Sequence, residues 1–233
     1  MTVHDKRKLV TQENYSKISK IYADDFGSNR DHFDYIDQAI ELIKIRKIDN
    51  LPVFDLGSGS GVVTDYLVEK NYPNIIAVDL TPEFCKMIEI KHGRKVKVIC
   101  EDMVEIIKKQ KSLSIAAYIA SFSIIHIPDE ELDSLFANIS MSLSPGGSFV
   151  MSCHKGTFKG MEQEPYQIQK DLRLIEKDKL STYMNYLTED ELIRRITKAG
   201  MKVLRIETFK SKVIPGELPA PKIWLLAEKR VKN

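Results

Sequence analysis

Three glycines at alternate positions follow a short apolar run that contains one acid. The residues are Val53, Phe54, Asp55, Leu56, Gly57, Ser58, Gly59, Ser60 and Gly61. Glycine lets the backbone turn sharply and lets a ligand lie against bare main chain. An apolar run, a glycine turn and a helical pattern in succession predict a buried strand, a binding loop and a helix N-terminus. We therefore expect the loop, including Ser58, to hold a nucleotide-like ligand.

The acid before the loop distinguishes this pattern from that of dinucleotide-binding folds. Those folds carry G-x-G-x-x-G, and Val62 stands here at the position of the third glycine. A carboxylate at Asp55 would oppose a pyrophosphate but would suit a positively charged ligand. The loop favours a cationic nucleoside over NAD, so a dehydrogenase is the weakest of the functions considered.

Two more acids follow predicted strands. Asp79, followed by Leu80, ends the run after the loop, and a carboxylate there can accept hydrogen bonds from both ribose hydroxyls. Asp102 and Met103 follow the next apolar run and could recognise adenine through hydrogen bonds, with Met103 or Leu80 packed against the adenine ring. Each acid has an alternative role as a helix cap.

Histidines and aromatic residues lie where later strands are predicted to end. His126 follows the fourth strand and His154 the fifth, so both are candidate catalytic bases. For His126 the alternative is a packing residue at a helix start. The remaining candidates are cofactor contacts at Tyr22 and Ser121 and substrate contacts at Tyr15, Phe122, Tyr183 and Tyr186. Tyr15 and Tyr22 have two equally supported interpretations: they form a lid over the cofactor, or they belong to the apolar stripe of an amphipathic helix.

Apolar runs alternate with helical stretches from residue 51 onward. Strands are predicted at 52–56, 75–79, 96–100, 115–120, 147–153, 201–208 and 222–229, and helices at 62–70, 82–91, 103–109 and 129–143. A capping box at Thr188 predicts one more helix, which stops at Gly200. Such alternation predicts a parallel sheet covered on both faces, with ligands at the carboxyl ends of its strands.

The chain is expected to form an N-terminal helical cap over residues 1–48 and one large domain over 49–233. The cap carries two amphipathic stripes around a polar break at 24–29 and no strand signal. Residues 154–180 have little apolar periodicity and are too long for a simple connection. They predict a substrate-side excursion at about 154–187.

Composition narrows the class of protein further. The 233 residues are 43% hydrophobic and carry a net charge of +2, so a domain-scale basic field is not indicated. Cys85, Cys100 and Cys153 lack metal-ligand spacing and predict reduced thiols rather than a metal site. No long apolar run or leader pattern is present. We expect a soluble, cytoplasmic monomer or homodimer.

In their order and spacing these motifs resemble the class I S-adenosylmethionine-dependent methyltransferases, small-molecule branch. The motifs are the Asp55–Gly61 loop, Asp79, the Asp102-Met103 pair and the Leu143–Gly147 turn. The resemblance covers about residues 51–229. It implies an α/β, Rossmann-like, seven-stranded and mostly parallel sheet with an antiparallel last strand beside 147–153. It also implies S-adenosylmethionine as the cofactor, with its methionine end at Asp55 and the loop backbone.

The expected function is methyl transfer to a small-molecule acceptor. Nucleic-acid amino methyltransferases would carry an Asn-Pro-Pro-Tyr type of tetrapeptide after the fourth strand, where residues 120–123 read Ala-Ser-Phe-Ser. Nucleic acid is therefore an unlikely partner. Two alternatives remain: an RNA-modifying methyltransferase with a basic rim at 6–8 and 155–179, and a non-catalytic cofactor-binding module of the same fold.

Overall fold

A central seven-stranded sheet organises the computed structural model, which describes residues 5–163, 180–210 and 220–231. The strands are β1 (Val53–Leu56), β2 (Ile75–Asp79), β3 (Val96–Cys100), β4 (Ile115–Ser121), β5 (Leu143–His154), β6 (Lys159–Gln163), β7 (Ser181–Asn185), β8 (Met201–Phe209) and β9 (Lys222–Lys229). The sheet order is β3-β2-β1-β4-β5-β9-β8, while β6 and β7 form a separate antiparallel pair. Strands β1 to β5 are parallel, and β9 lies antiparallel between β5 and β8. The predicted sheet, including its antiparallel last strand, is confirmed.

Helices lie between the strands as the sequence predicts, with ends that differ by one or two residues. They are α1 (Lys6–Phe26), α2 (Asp34–Ile45), α3 (Val62–Glu69), α4 (Pro82–His92), α5 (Met103–Lys108), α6 (Asp129–Ser142) and α7 (Glu189–Lys198). The predicted capping box begins α7. The Glu191 amide donates to Thr188 Oγ1 over 3.2 Å, and the Thr188 amide donates to the Glu191 carboxylate over 3.1 Å.

The core has two layers because side chains alternate along each strand. Phe54 and Tyr118 face the layer that includes α5, α6 and α7. Val53 and Ala117 face the opposite layer, which includes α2, α3 and α4. All four side chains are buried, and burying a large apolar side chain contributes about 1.5–3 kcal/mol. The helices therefore cover both faces of the sheet, as predicted.

The two N-terminal helices lie in different places. Helix α2 packs on the sheet itself, where Tyr35, Ile36 and Ile43 are fully buried. Helix α1 instead lies against β7 and α4, beside the carboxyl ends of the strands. A cap that ends at residue 48 stays a prediction, but only α1 covers the ligand edge of the sheet.

The predicted excursion contains two strands that the sequence did not indicate, β6 and β7. Residues 164–179 of this segment lie outside the described residues. The apolar pattern of β7 is weak because Thr182 and Asn185 are polar, yet both are buried. Asn185 Nδ2 donates to the Ile127 carbonyl over 3.0 Å, which offsets the cost of burying its amide. A tertiary hydrogen bond and the burial of Tyr183 and Met184 both contribute to the position of this strand.

Candidate active site

Two adjoining cavities of about 160 and 110 Å³ lie at the carboxyl ends of the parallel strands. The larger, called the β5-side cavity, is lined by Asp55, Ser58, His154 and Trp224 among others. The smaller, the β2-side cavity, is lined among others by Lys8, Asp79, Leu80, Asp102 and Met103. Their shared lining includes Tyr15, Tyr22, Gly57, Gly59, Ser121, Phe122 and His126. Every predicted site residue lines at least one cavity except Gly61, Tyr183 and Tyr186.

The loop glycines serve different purposes. Gly57 has a φ of +65°, and a Cβ there would lie 2.3 Å from the Ser123 Cβ, so its hydrogen is required for packing. Gly59 has a φ of +51°, and a Cβ there would meet only Tyr22 Cε1, at 3.9 Å. Gly61 caps α3 in the left-handed conformation against Ile88, behind the cavities. Only Gly57 and Gly59 border the cavities, and Gly59 offers bare main chain to a ligand.

Asp55 is a buried carboxylate at the floor of the β5-side cavity. Thr64 Oγ1 donates a hydrogen bond to it over 2.7 Å. Burial raises the pKa of Asp55 to about 7, the Thr64 hydrogen bond opposes the rise, and the nearby Asp79 charge adds to it. Beside it, the buried Oγ of Ser58 lacks a hydrogen-bond partner among the described residues. A buried carboxyl group that has no cationic partner among the described residues, beside a hydroxyl without a partner there, fits a ligand with a cationic, hydrogen-bonding end.

Asp79 ties the glycine loop to the next turn. The Gly59 amide donates to Asp79 Oδ2 and the Thr81 amide to Oδ1, each over 2.8 Å. The N-cap of α4 is Thr81, so Asp79 is not the cap that the alternative assigned to it. Burial raises its pKa, and the two amide bonds lower it. Its carboxylate borders the β2-side cavity and can accept further hydrogen bonds from a ligand.

Asp102 both caps α5 and borders the β2-side cavity. The Val104 amide donates to its Oδ1 over 2.8 Å, as the cap alternative predicts. Lys8 Nζ, from α1, donates to its Oδ2 over 2.9 Å and to Glu131 over 2.6 Å. Lys8 is only 5% exposed, so it forms part of the cavity wall rather than of a basic rim.

Tyr15 joins α1 to His126 at the boundary of the cavities. His126 Nδ1 lies 2.8 Å from the Tyr183 carbonyl oxygen, which can only accept, so Nδ1 carries the hydrogen. His126 Nε2 therefore accepts from the Tyr15 hydroxyl over 3.1 Å. Burial lowers the pKa of His126 to about 4. The imidazole is thus neutral, and both of its nitrogens are occupied.

His154 has the opposite character. It is 5% exposed, and its buried Nδ1 has no hydrogen-bond partner among the described residues. The ring lies 5.4 Å from each of the Phe122 and Tyr186 rings, centroid to centroid. Burial, and then the positive charge of Lys222, lower the pKa of His154 to about 4. A neutral imidazole with an unused nitrogen at a cavity is suited to bind or deprotonate a ligand.

The predicted substrate contacts at Tyr183 and Tyr186 need correction, because neither residue lines a cavity. In β7 the neighbours Thr182 and Met184 line the β5-side cavity instead, since side chains alternate along a strand. The Tyr183 ring lies 5.1 Å from the Arg7 guanidinium. Tyr186 packs on His154 and donates its hydroxyl to Glu162 Oε2 over 2.9 Å.

Several lining residues of the β5-side cavity were not predicted. They are Asp31, His32, Glu162, Met184, Phe209, Lys210, Lys222 and Trp224. They come from the α1–α2 connection, β6, β7, the end of β8 and β9. The strand pattern correctly indicates that Trp224 is buried, and it is 2% exposed. Its place in the cavity follows only from the insertion of β9 beside β5.

Four described basic residues of the predicted rim, Arg7, Lys8, Lys155 and Lys159, are paired with acids. Arg7 binds Asp5 and Glu130, and Lys8 binds acids as above. Lys155 lies 3.4 Å from Glu189, and Lys159 lies 2.6 Å from Asp129 and 3.0 Å from Glu191. The rest of the rim, 164–179, lies outside the described residues.

The described residues hold neither a cluster of metal ligands nor a membrane-spanning helix. Within them, no three His, Cys, Asp or Glu side chains gather as a metal site. None of the helices described is both long and apolar enough to cross a membrane.

The fold recurs in solved methyltransferase structures. One from Clostridium acetobutylicum, an S-adenosylmethionine-dependent methyltransferase, shares 17% identity over 93% of this chain and 99% of that one (TM-score 0.61). Another from Methanosarcina mazei shares 14% identity over 78% and 93% (TM-score 0.61). The 1,6-didemethyltoxoflavin-N1-methyltransferase of Burkholderia thailandensis shares 16% identity over 99% and 93% (TM-score 0.58). At such identities the likeness establishes the fold.

A family model adds a match at the level of sequence. Residues 53–147, from β1 to the start of β5, match the model described as "Methyltransferase domain". No curated protein matches the chain. The matched range holds the glycine loop, Asp79 and Asp102. Residues 53–147 are therefore similar to a methyltransferase domain, and the chain has the fold of the solved S-adenosylmethionine-dependent methyltransferases.

Proposed function

We propose that this enzyme methylates a small molecule held in the β5-side cavity. The observation that carries the proposal is the buried His154 imidazole, whose Nδ1 has no hydrogen-bond partner among the described residues, at a cavity lined by aromatic rings and polar side chains. Small-molecule sites have this composition, whereas nucleic-acid sites present basic surfaces. The structural neighbour from Burkholderia thailandensis, whose substrate is a small molecule, supports the same class of acceptor.

The nucleoside half of the cofactor is assigned to the β2-side cavity. Asp79 would accept hydrogen bonds from the ribose hydroxyls while it holds the Gly59 amide. Asp102, which accepts from Lys8 and from the Val104 amide and borders this cavity, would face the adenine amino group. Leu80 and Met103 line this cavity and would pack on the ring.

The methionine half is assigned to the wall that the two cavities share. Asp55 would face the ammonium group, Ser58 Oγ would gain its missing hydrogen bond, and the Gly59 main chain would allow close approach. Tyr22 stands over Gly59 and would close this end, and Ser121 lines both cavities beside it. Bound S-adenosylmethionine supplies a methyl group on a positively charged sulfur.

His154 is the better candidate base of the two predicted histidines. The nitrogens of His126 are committed to Tyr15 and to the Tyr183 carbonyl, so its role is to position Tyr15 and α1. His154 Nδ1 is free to accept the proton that the acceptor loses on methylation. Because its pKa is low, His154 would relay this proton to solvent rather than retain it. Phe122 and Tyr15 would form the apolar wall around the acceptor.

The first prediction tests cofactor and acceptor class together. Calorimetry should show that the protein binds S-adenosylhomocysteine at least tenfold more tightly than NAD, because Asp55 opposes a pyrophosphate. Labelled methyl groups should then pass from S-adenosylmethionine to members of a small-molecule panel and not to bulk RNA. Tighter binding of NAD would overturn the cofactor assignment. Salt-sensitive RNA binding with RNA methylation would replace the small-molecule proposal with the RNA alternative.

A second prediction concerns pH and Asp55. The pKa of Asp55 in the folded protein, about 7, lies above the ordinary aspartate value of 3.8, so the proton on Asp55 stabilises the fold below pH 4. That contribution is lost as pH rises through 7. A ligand ammonium favours the carboxylate, so binding below pH 7 should release a proton. We expect the affinity for S-adenosylhomocysteine to rise by up to about tenfold per pH unit from pH 5.5 to 7 and then to level off.

The Asp55→Asn variant is the control for this pH dependence. Asparagine keeps the shape of the side chain and its hydrogen bond with Thr64 but cannot titrate. Its affinity should be weaker and should vary less with pH over the same range. Calorimetry in two buffers of different ionisation enthalpy would count the protons released. An identical pH slope in the variant and the wild type would show that Asp55 does not face the ammonium group.

A further inference from the structure

Two residues with left-handed backbone conformations lie on either side of Trp224. His32 has a φ of 63° and Phe122 a φ of 51°, and both line the β5-side cavity. Their ring centroids lie 6.1 and 6.2 Å from that of Trp224. A bulky side chain in this conformation costs about 1–3 kcal/mol, and such strain recurs where residues clamp a ligand. The strained backbone of His32 and Phe122 therefore lies where both rings line one cavity.

A fourth ring completes this group. Phe209, at the end of β8, stacks on His32 with centroids 3.6 Å apart and planes 29° from parallel. His32, Phe122, Phe209 and Trp224 together are called the aromatic slot. They come from four separate segments of the chain, and all line the same cavity. Rings favour flat, π-bearing partners, and each such contact adds about 0.5–1.5 kcal/mol beyond the area it buries.

The polar group beside the slot is His154. Its ring centroid lies 5.4 Å from that of Phe122, and its Nδ1 is buried without a partner among the described residues. Lys222 pairs with His154 across β5 and β9, and its Nζ lies 5.4 Å from the Phe122 centroid. The positive charge of Lys222 helps to keep His154 neutral. The slot thus combines flat apolar walls with a neutral imidazole that lines the same cavity.

We propose that the methyl acceptor is a planar aromatic or heteroaromatic molecule that carries its reacting O–H or N–H group directly on the ring. This inference rests on the proposed function. The ring lies in the aromatic slot, and its O–H or N–H donates to His154 Nδ1. In the transfer, the ring oxygen or nitrogen bonds to the methyl carbon as the carbon–sulfur bond breaks, and that electron pair stays on sulfur. The acceptor's proton passes to His154 Nδ1 and then to water.

Trp224 makes this proposal testable without turnover, because it is the only tryptophan in the chain. Its fluorescence can be followed while ligands are added to the protein saturated with S-adenosylhomocysteine. The probes are matched pairs: para-hydroxybenzoate and ortho-aminobenzoate, each against its cyclohexane analogue with the same polar groups. We expect the planar member of each pair to change the fluorescence saturably and to bind at least tenfold more tightly.

Three substitutions test whether the planar probes bind in the aromatic slot. Phe209→Leu removes one wall of the slot and should weaken the planar probes about tenfold, with the affinity for S-adenosylhomocysteine unchanged. Phe158→Leu is the matched control: Phe158 is 44% exposed and does not line the cavity, so neither affinity should change. His154→Asn should weaken para-hydroxybenzoate but not benzoate, which lacks the hydroxyl group.

The outcomes separate this inference from the proposed function. Equal or tighter binding of the cyclohexane analogues, or no saturable response to any planar probe, would overturn the aromatic assignment while binding of S-adenosylhomocysteine persists. Failure to bind S-adenosylhomocysteine would overturn the proposed function itself. Planar selectivity that is lost in Phe209→Leu and kept in Phe158→Leu would support both.

Discussion

Replacing Asp79 with alanine is expected to weaken binding of S-adenosylhomocysteine by about 2–4 kcal/mol, as measured by calorimetry. The change removes the charged acceptor proposed for the ribose hydroxyls. It also releases the amides of Gly59 and Thr81, which donate to this carboxylate over 2.8 Å. Because those amides lose their partner, the free energy of unfolding should also fall, by about 1–3 kcal/mol.

Two variants separate the effects on binding and on stability. Asp79→Asn keeps the shape and one acceptor oxygen but lacks the charge, so its loss of affinity should be intermediate. Asp65→Ala is the control for a general loss of stability. Asp65 joins α3 to α4 through Lys91 and His92 and lines neither cavity. The Asp65→Ala substitution should lower the melting temperature and leave the affinity for S-adenosylhomocysteine unchanged. If the Asp79→Ala protein has a lower melting temperature but an unchanged affinity for S-adenosylhomocysteine, Asp79 only anchors the loop and does not bind the ligand.

The second large effect should distinguish two glycines of the same loop. In Gly57→Ala the new Cβ would lie 2.3 Å from the Ser123 Cβ, at a φ of +65°. Overpacking and the left-handed backbone together should lower the free energy of unfolding by about 2–4 kcal/mol. In Gly59→Ala the nearest atom is 3.9 Å away, so stability should fall by only about 1–2 kcal/mol. Its methyl group would occupy the cavity, and affinity for S-adenosylhomocysteine should drop at least tenfold.

Gly93 supplies the control for this comparison. It has a φ of +54°, and nothing lies within 4 Å of a Cβ placed there. Gly93→Ala therefore reports the cost of the backbone conformation alone and should not change affinity. Chemical denaturation of the three variants, with calorimetry on each, gives both quantities. If Gly57→Ala were as stable as Gly59→Ala, the packing assigned to Gly57 would be wrong.

Much of the fold follows from local patterns. Apolar runs predict β1 to β5, because each of these strands buries a continuous apolar segment. The helical stretches between them predict α3 to α6, because each of these helices buries one apolar stripe. The capping box at Thr188 marks the start of α7 for a purely local reason. The pair β6 and β7 could not be read this way, since Thr182 and Asn185 are polar yet buried, and Asn185 donates to the distant Ile127 carbonyl.

The sequence by itself determined the class of site: an acid and alternating glycines after one strand, and acids after the next two. These residues lie at one edge because the strands are parallel and their crossovers are right-handed. Spacing along the chain is enough to state this, so Asp55, Asp79 and Asp102 were predictable.

The tertiary structure alone decided which side chains are free and which are occupied. His126 and His154 are equivalent in sequence, yet Tyr15 and Tyr183 occupy both nitrogens of His126, while Nδ1 of His154 has no partner in the part of the chain that the structure describes. Cys85 and Cys100, far apart in sequence, come together behind Asp79, where burial and the Cys100 thiol raise the pKa of Cys85. The aromatic slot likewise gathers four distant segments. Such contacts depend on register and on the insertion of β9, which local periodicity does not encode.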